Sequence, residues 1–365
     1  MIEGRATLEG TQRFAARSAA AEGHFREAMG LRLSSLGLGT YLGEEDDATD
    51  RGYEASVHAA LETRVNVFDS AINYRGQKSE RAIGRAVRAA IDGGLVRRDE
   101  LFVSTKGGYF PHDADDPREA RRYVRESFLE SGVAPQSEIA QGCHCMAPGY
   151  LADQLERSRA NLGLQTIDLY YLHNIEAQRG ALDPKTFRAR LAAAAAFLEE
   201  AAGSGKIAAW GLATWDGLRV PPEHPEHLSL SETLAVAYEV GGEAHHFRAV
   251  QLPFNLGMAQ AAVYRSQENA GSRLPALPAA AGMGLATFGS ASLLQGRLAA
   301  QLPEEIREAF PECGSPAATA LQFARSAPGM TTSLAGVSDV SHARENFGLS
   351  AILPAASDRI LALFG

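Results

Sequence analysis

Cysteine is scarce: Cys143, Cys145 and Cys313 are the only three in 365 residues. An odd, sparse set builds no disulfide framework and suits a reducing compartment. Long apolar runs are missing too. A membrane helix needs roughly 20 such residues, and the Ala-rich stretch 191–198 ends at Glu199. The chain has no basic excess. Its 35 Lys and Arg face 44 Asp and Glu, a net charge of −9, which disfavours nucleic acid and anionic membrane as partners. Arg5, Arg13 and Arg17 are interrupted by Glu3, Glu9 and Glu22, and no apolar h-region follows; a cytoplasmic protein is expected. A Gly-rich phosphate loop is lacking after the first apolar run. GLGT (37–40) leads into YLGEEDDATD, whose carboxylates repel a pyrophosphate and argue against an open doubly wound sheet.

What is present is a regular alternation. Eight short apolar runs occur at 33–40, 65–71, 101–106, 167–173, 207–213, 249–255, 284–290 and 332–337. Helical spacing fills most of the gaps, as in Tyr53, Val57 and Leu61, in Ile83, Val87 and Ile91, and in Leu151, Leu155 and Leu162. Eight strand–helix repeats predict an α/β chain closed into a single-domain (β/α)8 TIM barrel. The expected layout is an N-terminal extension at 1–31, the barrel at 32–352 and a C-terminal segment at 353–365. The gap between the third and fourth runs is the longest. Its excess, 107–147, is read as an enlarged loop on the catalytic face, covering or flanking a substrate.

Three of the runs carry an ionisable residue at or near their ends: VNVFDSA holds Asp69, LFVSTK ends in Lys106, and IDLYYLH ends in His173. Tyr74 follows just after the first of these. Polar groups at the C-terminal ends of successive barrel strands meet at one mouth. A tyrosine titrates near 10. A neighbouring ammonium stabilises its phenolate, a carboxylate keeps the lysine charged and aimed, and a neutral histidine orients a carbonyl oxygen. That set suits proton donation to a carbonyl while a hydride arrives from elsewhere. A structural Asp–Lys ion pair is the plainer reading of Asp69 and Lys106 taken alone.

At these residues the chain resembles the aldo-keto reductase family. FDSAINYRGQKSE (68–80) is similar to its first signature, VSTK (103–106) to its lysine strand and DLYYLHN (168–174) to its histidine strand. The resemblance continues through GLAT (211–214), QLPFN (251–255), ATFGS (286–290) and AGVSDVSHAREN (335–346), over roughly residues 32–350. It departs at Arg75, an extra residue before Gly76, and at Ser70 in place of a threonine. Arg75 is expected to bring a guanidinium near the substrate.

The resemblance implies a catalytic set of Asp69, Tyr74, Lys106 and His173, and a nicotinamide cofactor. For the nicotinamide end it implies Gly39, Thr40, Thr214, Gln251, Phe288, Gly289, Ser290 and Leu293, with Phe288 stacking on the ring and Asn255 as a further candidate. For the adenosine end it implies Gly336, Ser338, His342, Glu345 and Asn346. NADPH is what the family implies. Ser338 stands where NADPH-preferring relatives carry Arg or Lys, and Asp339 follows it. This favours NADH unless Arg344 or His342 compensates. Tyr41, Tyr109, Phe110, Trp215 and Phe254 are candidates for the substrate wall. Cys143-His144-Cys145 supplies three metal-type donors and no fourth, so no metal is expected. The expected function is hydride transfer between a nicotinamide and a small-molecule aldehyde, ketone or matching alcohol. The alternative is a nucleotide-binding regulatory or subunit-like barrel with little turnover, motivated by the altered loop at 74–76.

Overall fold

The computed structural model describes residues 1–17 and 20–364. Eight parallel strands close into a barrel. They are β1 (Leu36–Gly39), β2 (Val67–Asp69), β3 (Phe102–Gly107), β4 (Leu169–His173), β5 (Trp210–Ala213), β6 (Phe247–Pro253), β7 (Ala286–Ser290) and β8 (Thr332–Gly336). Each neighbours the next in sequence, and β8 closes on β1 through Leu334↔Gly37 and Gly336↔Gly39. All eight lie within or against the predicted runs, so the (β/α)8 barrel is the observed fold.

Side chains alternate between two faces along each strand. Val67, Phe102, Leu169, Tyr171, Ala249, Ala286 and Phe288 pack together inside the barrel. Phe68, Val103, Tyr170, Leu172 and Val250 face the helical layer. Asp69, Lys106 and His173 share the parity of the inward set, which aims all three along the barrel axis at its C-terminal mouth. Small residues (Ala209, Ala213, Ala249, Ala286) leave room for the rings of Phe102, Tyr171 and Phe288.

The helices bury the faces expected of them: Tyr53, Val57 and Leu61 on Asp47–Glu62, Ile83 and Val87 on Lys78–Asp92, and Leu151, Leu155 and Leu162 on Pro148–Leu162. The expected boundary at 31/32 falls inside a hairpin, Phe25–Ala28 with Leu31–Ser34. Leu33 of that hairpin packs into the barrel interior. The 107–147 segment carries a short helix, Ala120–Val124, and packs a small core of Tyr123, Phe128, Ala134 and Cys145 against Tyr150 of helix Pro148–Leu162. Among the described residues no helix is long and apolar enough to cross a membrane.

Candidate active site

A cavity of about 470 Å³ opens at the C-terminal mouth. Asp69, Tyr74 and His173 line it, together with Gly39, Thr40, Thr214, Gln251, Ser290, Leu293 and Gly336. Lys106 lies fully buried behind them. Its Nζ donates to Asp69 Oδ2 at 2.5 Å and to the Ser70 carbonyl at 2.7 Å. It also sits 4.7 Å from the centroid of the Tyr74 ring. The other carboxylate oxygen of Asp69 accepts from Ser104 Oγ at 2.7 Å and from Gln251 Nε2 at 3.0 Å. The carboxylate is thus saturated and fixed, and it in turn fixes the lysine.

Burial alone would lower the pKa of Lys106, but Asp69 and Tyr74 outweigh it and raise the pKa. The lysine therefore stays charged. Tyr74 behaves differently from the sequence expectation. Burial raises its pKa and outweighs the opposing charge of Lys106. The phenol is held protonated at rest, and the ammonium is in place to accept the phenolate once the proton leaves. His173 is held neutral, its pKa well below the ordinary value through burial first and then the charge of Lys106. Its Nδ1 is buried without a partner. An orphaned N–H costs about 1–3 kcal/mol, so the favoured tautomer carries hydrogen on Nε2, the nitrogen left to serve the cavity.

The loop carrying Tyr74 absorbs the extra residue by running through left-handed backbone at Arg75 (φ 50°), Gly76 (φ 54°) and Gln77 (φ 70°). A Cβ at Gly76 would lie 2.8 Å from the Ala114 nitrogen, so only glycine fits there. Arg75 points away from the cavity, contrary to expectation. Its guanidinium donates to the carbonyls of Glu44 (2.7 Å) and Asp46 (3.2 Å) and pairs with Asp50 at 2.6 Å. It anchors the loop to the start of helix Asp47–Glu62 and leaves Tyr74 against Lys106.

Tyr41, Tyr109 and Trp215 line the cavity as expected. Phe110 and Phe254 do not. Phe110 stacks on Phe128 at 6.0 Å inside the insertion's own core. Phe254 is fully buried and stacks on Phe323 at 5.3 Å. Phe288 is also fully buried, stacked on Phe102 at 5.7 Å with the Tyr171 ring edge-on at 6.2 Å. It underlies the cavity and offers no face to a ligand there; the next inward residue, Ser290, is the one that lines it. Gly289 points outward, where a Cβ would meet Met330 at 3.0 Å. Asn255 is buried and donates to the Ala291 carbonyl at 2.9 Å.

At the adenosine-end candidate, Asp339 caps helix Val340–Gly348 by accepting from the backbone N–H of Ser341 (2.9 Å) and His342 (3.0 Å). Ser338 and the exposed His342 and Glu345 surround this turn, while Asn346 is buried. His342 lies 3.9 Å from Asp339, and Arg344 reaches Glu62 at 3.3 Å. Both basic side chains thus face carboxylates. The CHC segment splits three ways: Cys143 is exposed, Cys145 joins the insertion's core, and His144 Nε2 bonds the His173 carbonyl at 2.7 Å. Among the described residues no three His, Cys, Asp or Glu side chains gather as a metal site.

Sequence reasoning missed Asn73, Asn174, Leu42 and Gln295, which also line the cavity. Asn174 gave one local signal, since it directly follows His173 and is of a type that tolerates the left-handed φ of 48° it adopts.

The comparisons with known proteins agree with this architecture. L-galactose dehydrogenase of Arabidopsis thaliana is 32% identical over 123 residues, 32% of this chain and 35% of that protein. NADPH-dependent D-xylose reductase of Candida boidinii is 32% identical over 77 residues, 21% of this chain and 22% of that protein. The chain thus matches about a third or less of the length of these curated relatives. An aldo/keto reductase from Klebsiella pneumoniae, solved with NADP and acetate, superposes with a TM-score of 0.62 at 17% identity, covering 94% of each chain. The reductase AKR11C1 of Bacillus halodurans gives 0.60 at 19% identity, covering 93% of this chain and 95% of that one. The family model for the aldo/keto reductase family matches residues 35–221, just over half the length, and the chain belongs to that family.

Proposed function

We propose that this protein transfers a hydride between a nicotinamide dinucleotide and an uncharged carbonyl compound, or runs the matching alcohol oxidation. The convergence of Tyr74, Lys106, Asp69 and His173 at one cavity carries the reading. Tyr74 donates the proton to the carbonyl oxygen, and Lys106, held charged by Asp69, stabilises the phenolate left behind. His173 Nε2–H donates to the same oxygen and sets its direction. When bound, the cofactor supplies the hydride.

The residues fit the nicotinamide end. Gln251 spends its amide nitrogen on Asp69 and leaves its oxygen for a carboxamide NH₂. Thr214 Oγ makes only a long bond of 3.4 Å to the Gln251 carbonyl and can donate to the carboxamide oxygen. At the other end, the Asp339 carboxylate occupies the helix N–H groups and opposes a 2′-phosphate, which favours NADH over NADPH. No Lys or Arg lines the cavity among the described residues, while Tyr41, Tyr109 and Trp215 stand around Tyr74 there. That wall suits a neutral aryl or sugar carbonyl and gives a carboxylate substrate no partner. The sugar-acting relatives named above are in keeping with this.

The subunit-like alternative was motivated by the 74–76 loop, and that loop gives it no support: Arg75 is absorbed outside the cavity and Tyr74 stays beside Lys106. The test is the loss of reduced-nicotinamide absorbance with a panel of neutral aryl aldehydes and aldoses, run with each cofactor. Turnover with at least one substrate is expected. Cofactor binding without turnover across the panel and its alcohols would overturn the reading.

A further inference from the structure

We propose that His144 is a positioning residue for His173, and that the 107–147 insertion acts on the reaction through it. The inference rests on the functional reading above. The imidazole of His173 has no partner on Nδ1, so its own polar atoms do not set its orientation. The backbone at the strand end and the neighbouring rings must do so. The His173 carbonyl lies at the last residue of β4. His144, reaching in from the insertion, bonds it at 2.7 Å.

That acceptor is a carbonyl, so His144 carries its hydrogen on Nε2. Its Nδ1 is then an acceptor, and Gln178 Nε2 stands 3.3 Å away to donate. Gln178 Oε1 accepts from Arg190 at 2.8 Å, and Arg190 pairs with Glu138 of the insertion at 2.9 Å. The donors therefore run from Arg190 through Gln178 and His144 to the end of the histidine strand, while Arg190 donates the other way to Glu138 and so ties this chain to a turn of the insertion. Burial holds His144 neutral, with its pKa down at about 4, so the arrangement is unchanged at neutral pH.

Two further features are built around this contact. At Gly108 (φ +143°) a Cβ would lie 2.6 Å from His144 Nε2 and 3.1 Å from the His173 carbonyl oxygen; a side chain there would block the approach. The Tyr109 ring stands edge-on to both histidines, 5.3 Å from His144 and 5.1 Å from His173. It is itself pinned by Asn174 Nδ2 at its hydroxyl (3.3 Å) and by Tyr150 and Gln154 at its carbonyl (2.8 and 2.9 Å). The His173 ring is thus wedged by a tyrosine that His144 also supports. A small displacement of a catalytic group is enough to slow a reaction on the order of 10²-fold.

The test compares His144→Phe, which keeps a ring and removes the donor, with His144→Gln, whose amide restores an N–H. In the Phe variant kcat is expected to fall by about 10–10²-fold, with the cofactor dissociation constant close to parental, Tm lowered by the buried bond that is lost, and much of kcat recovered by Gln. A folded Phe variant with parental kcat overturns the proposal. So does a loss that Gln shares equally and that follows Tm. Imidazole ¹⁵N spectra supply a readout independent of turnover. His144 is expected as the Nε2–H tautomer, and the His173 signals are expected to move in His144→Phe. Unmoved His173 signals defeat the inference even in an active enzyme. Moved signals in a parental protein that reduces no carbonyl would uphold the positioning contact and count against the carbonyl-reductase reading instead.

Discussion

Replacing Lys106 with Met takes away the ammonium 2.5 Å from Asp69 Oδ2 and leaves a carboxylate on a side chain that is 5% exposed. Two donors remain to it, Ser104 Oγ and Gln251 Nε2. They satisfy one oxygen, while the oxygen that faced the lysine is left bare. Removing one partner of a buried pair typically costs about 3–5 kcal/mol, and here the remaining donors place the loss at the low end, about 3 kcal/mol. Turnover is expected to fall further than stability explains, by about 10²–10⁴-fold, because the phenolate of Tyr74 loses its counter-charge. Urea unfolding followed by circular dichroism gives the first quantity; single-turnover cofactor oxidation gives the second. The double variant Asp69→Asn with Lys106→Met removes both charges. It is expected to regain part of the stability and none of the rate, a positive coupling in a double-mutant cycle. A Lys106→Met protein as stable as the parent, or one with a parental single-turnover rate, would refute the reasoning.

Other outcomes follow from the same geometry. Asp339→Asn keeps the helix cap but removes its charge, and is expected to improve NADPH binding relative to NADH by about 0.3–1 kcal/mol; an unchanged ratio of dissociation constants would place the adenosine end elsewhere. Phe110→Ala is expected to cost about 3 kcal/mol of stability and to leave the ranking of substrates alone, while Tyr109→Ala changes that ranking; the substrate panel and thermal melts check both. His24 and His144 charge near 6.5 in the unfolded chain but only at about 4 in the fold. The unfolded state therefore binds more protons between those values, and each histidine withdraws about 3 kcal/mol as pH falls from 6.5 to 4. Urea midpoints across that range are expected to drop less in His144→Gln than in the parent, and equal drops would contradict the assignment.

The strands, and the meeting of Asp69, Lys106 and His173 at one mouth, were readable because both depend on local rules. Asp69, Lys106 and His173 stand at the C-terminal ends of apolar runs and share the inward parity of Val67, Phe102 and Leu169, so period-two alternation alone points them at one mouth. Depth was not readable. Phe288 has the inward parity too, yet only its ring contacts with Phe102 and Tyr171 across the barrel show that it lies beneath the cavity. Phe110 and Phe254 are aromatic, but composition does not say which of several cores takes a ring. Arg75 was misplaced because its partner, Asp50, lies 25 residues away on the preceding helix. His144 was given no role for the same reason: its partners, His173 and Gln178, are 29 and 34 residues off. Long-range pairing of polar side chains is set by tertiary packing, and no periodicity announces it.

The central claim is that Tyr74 gives the proton. The most direct measurement is single-turnover cofactor oxidation by Tyr74→Phe with a substrate that the parent reduces, alongside cofactor dissociation constants. The account predicts a rate lower by about 10²–10⁴-fold with cofactor affinity near parental. A Phe variant that retains the parental single-turnover rate would contradict it.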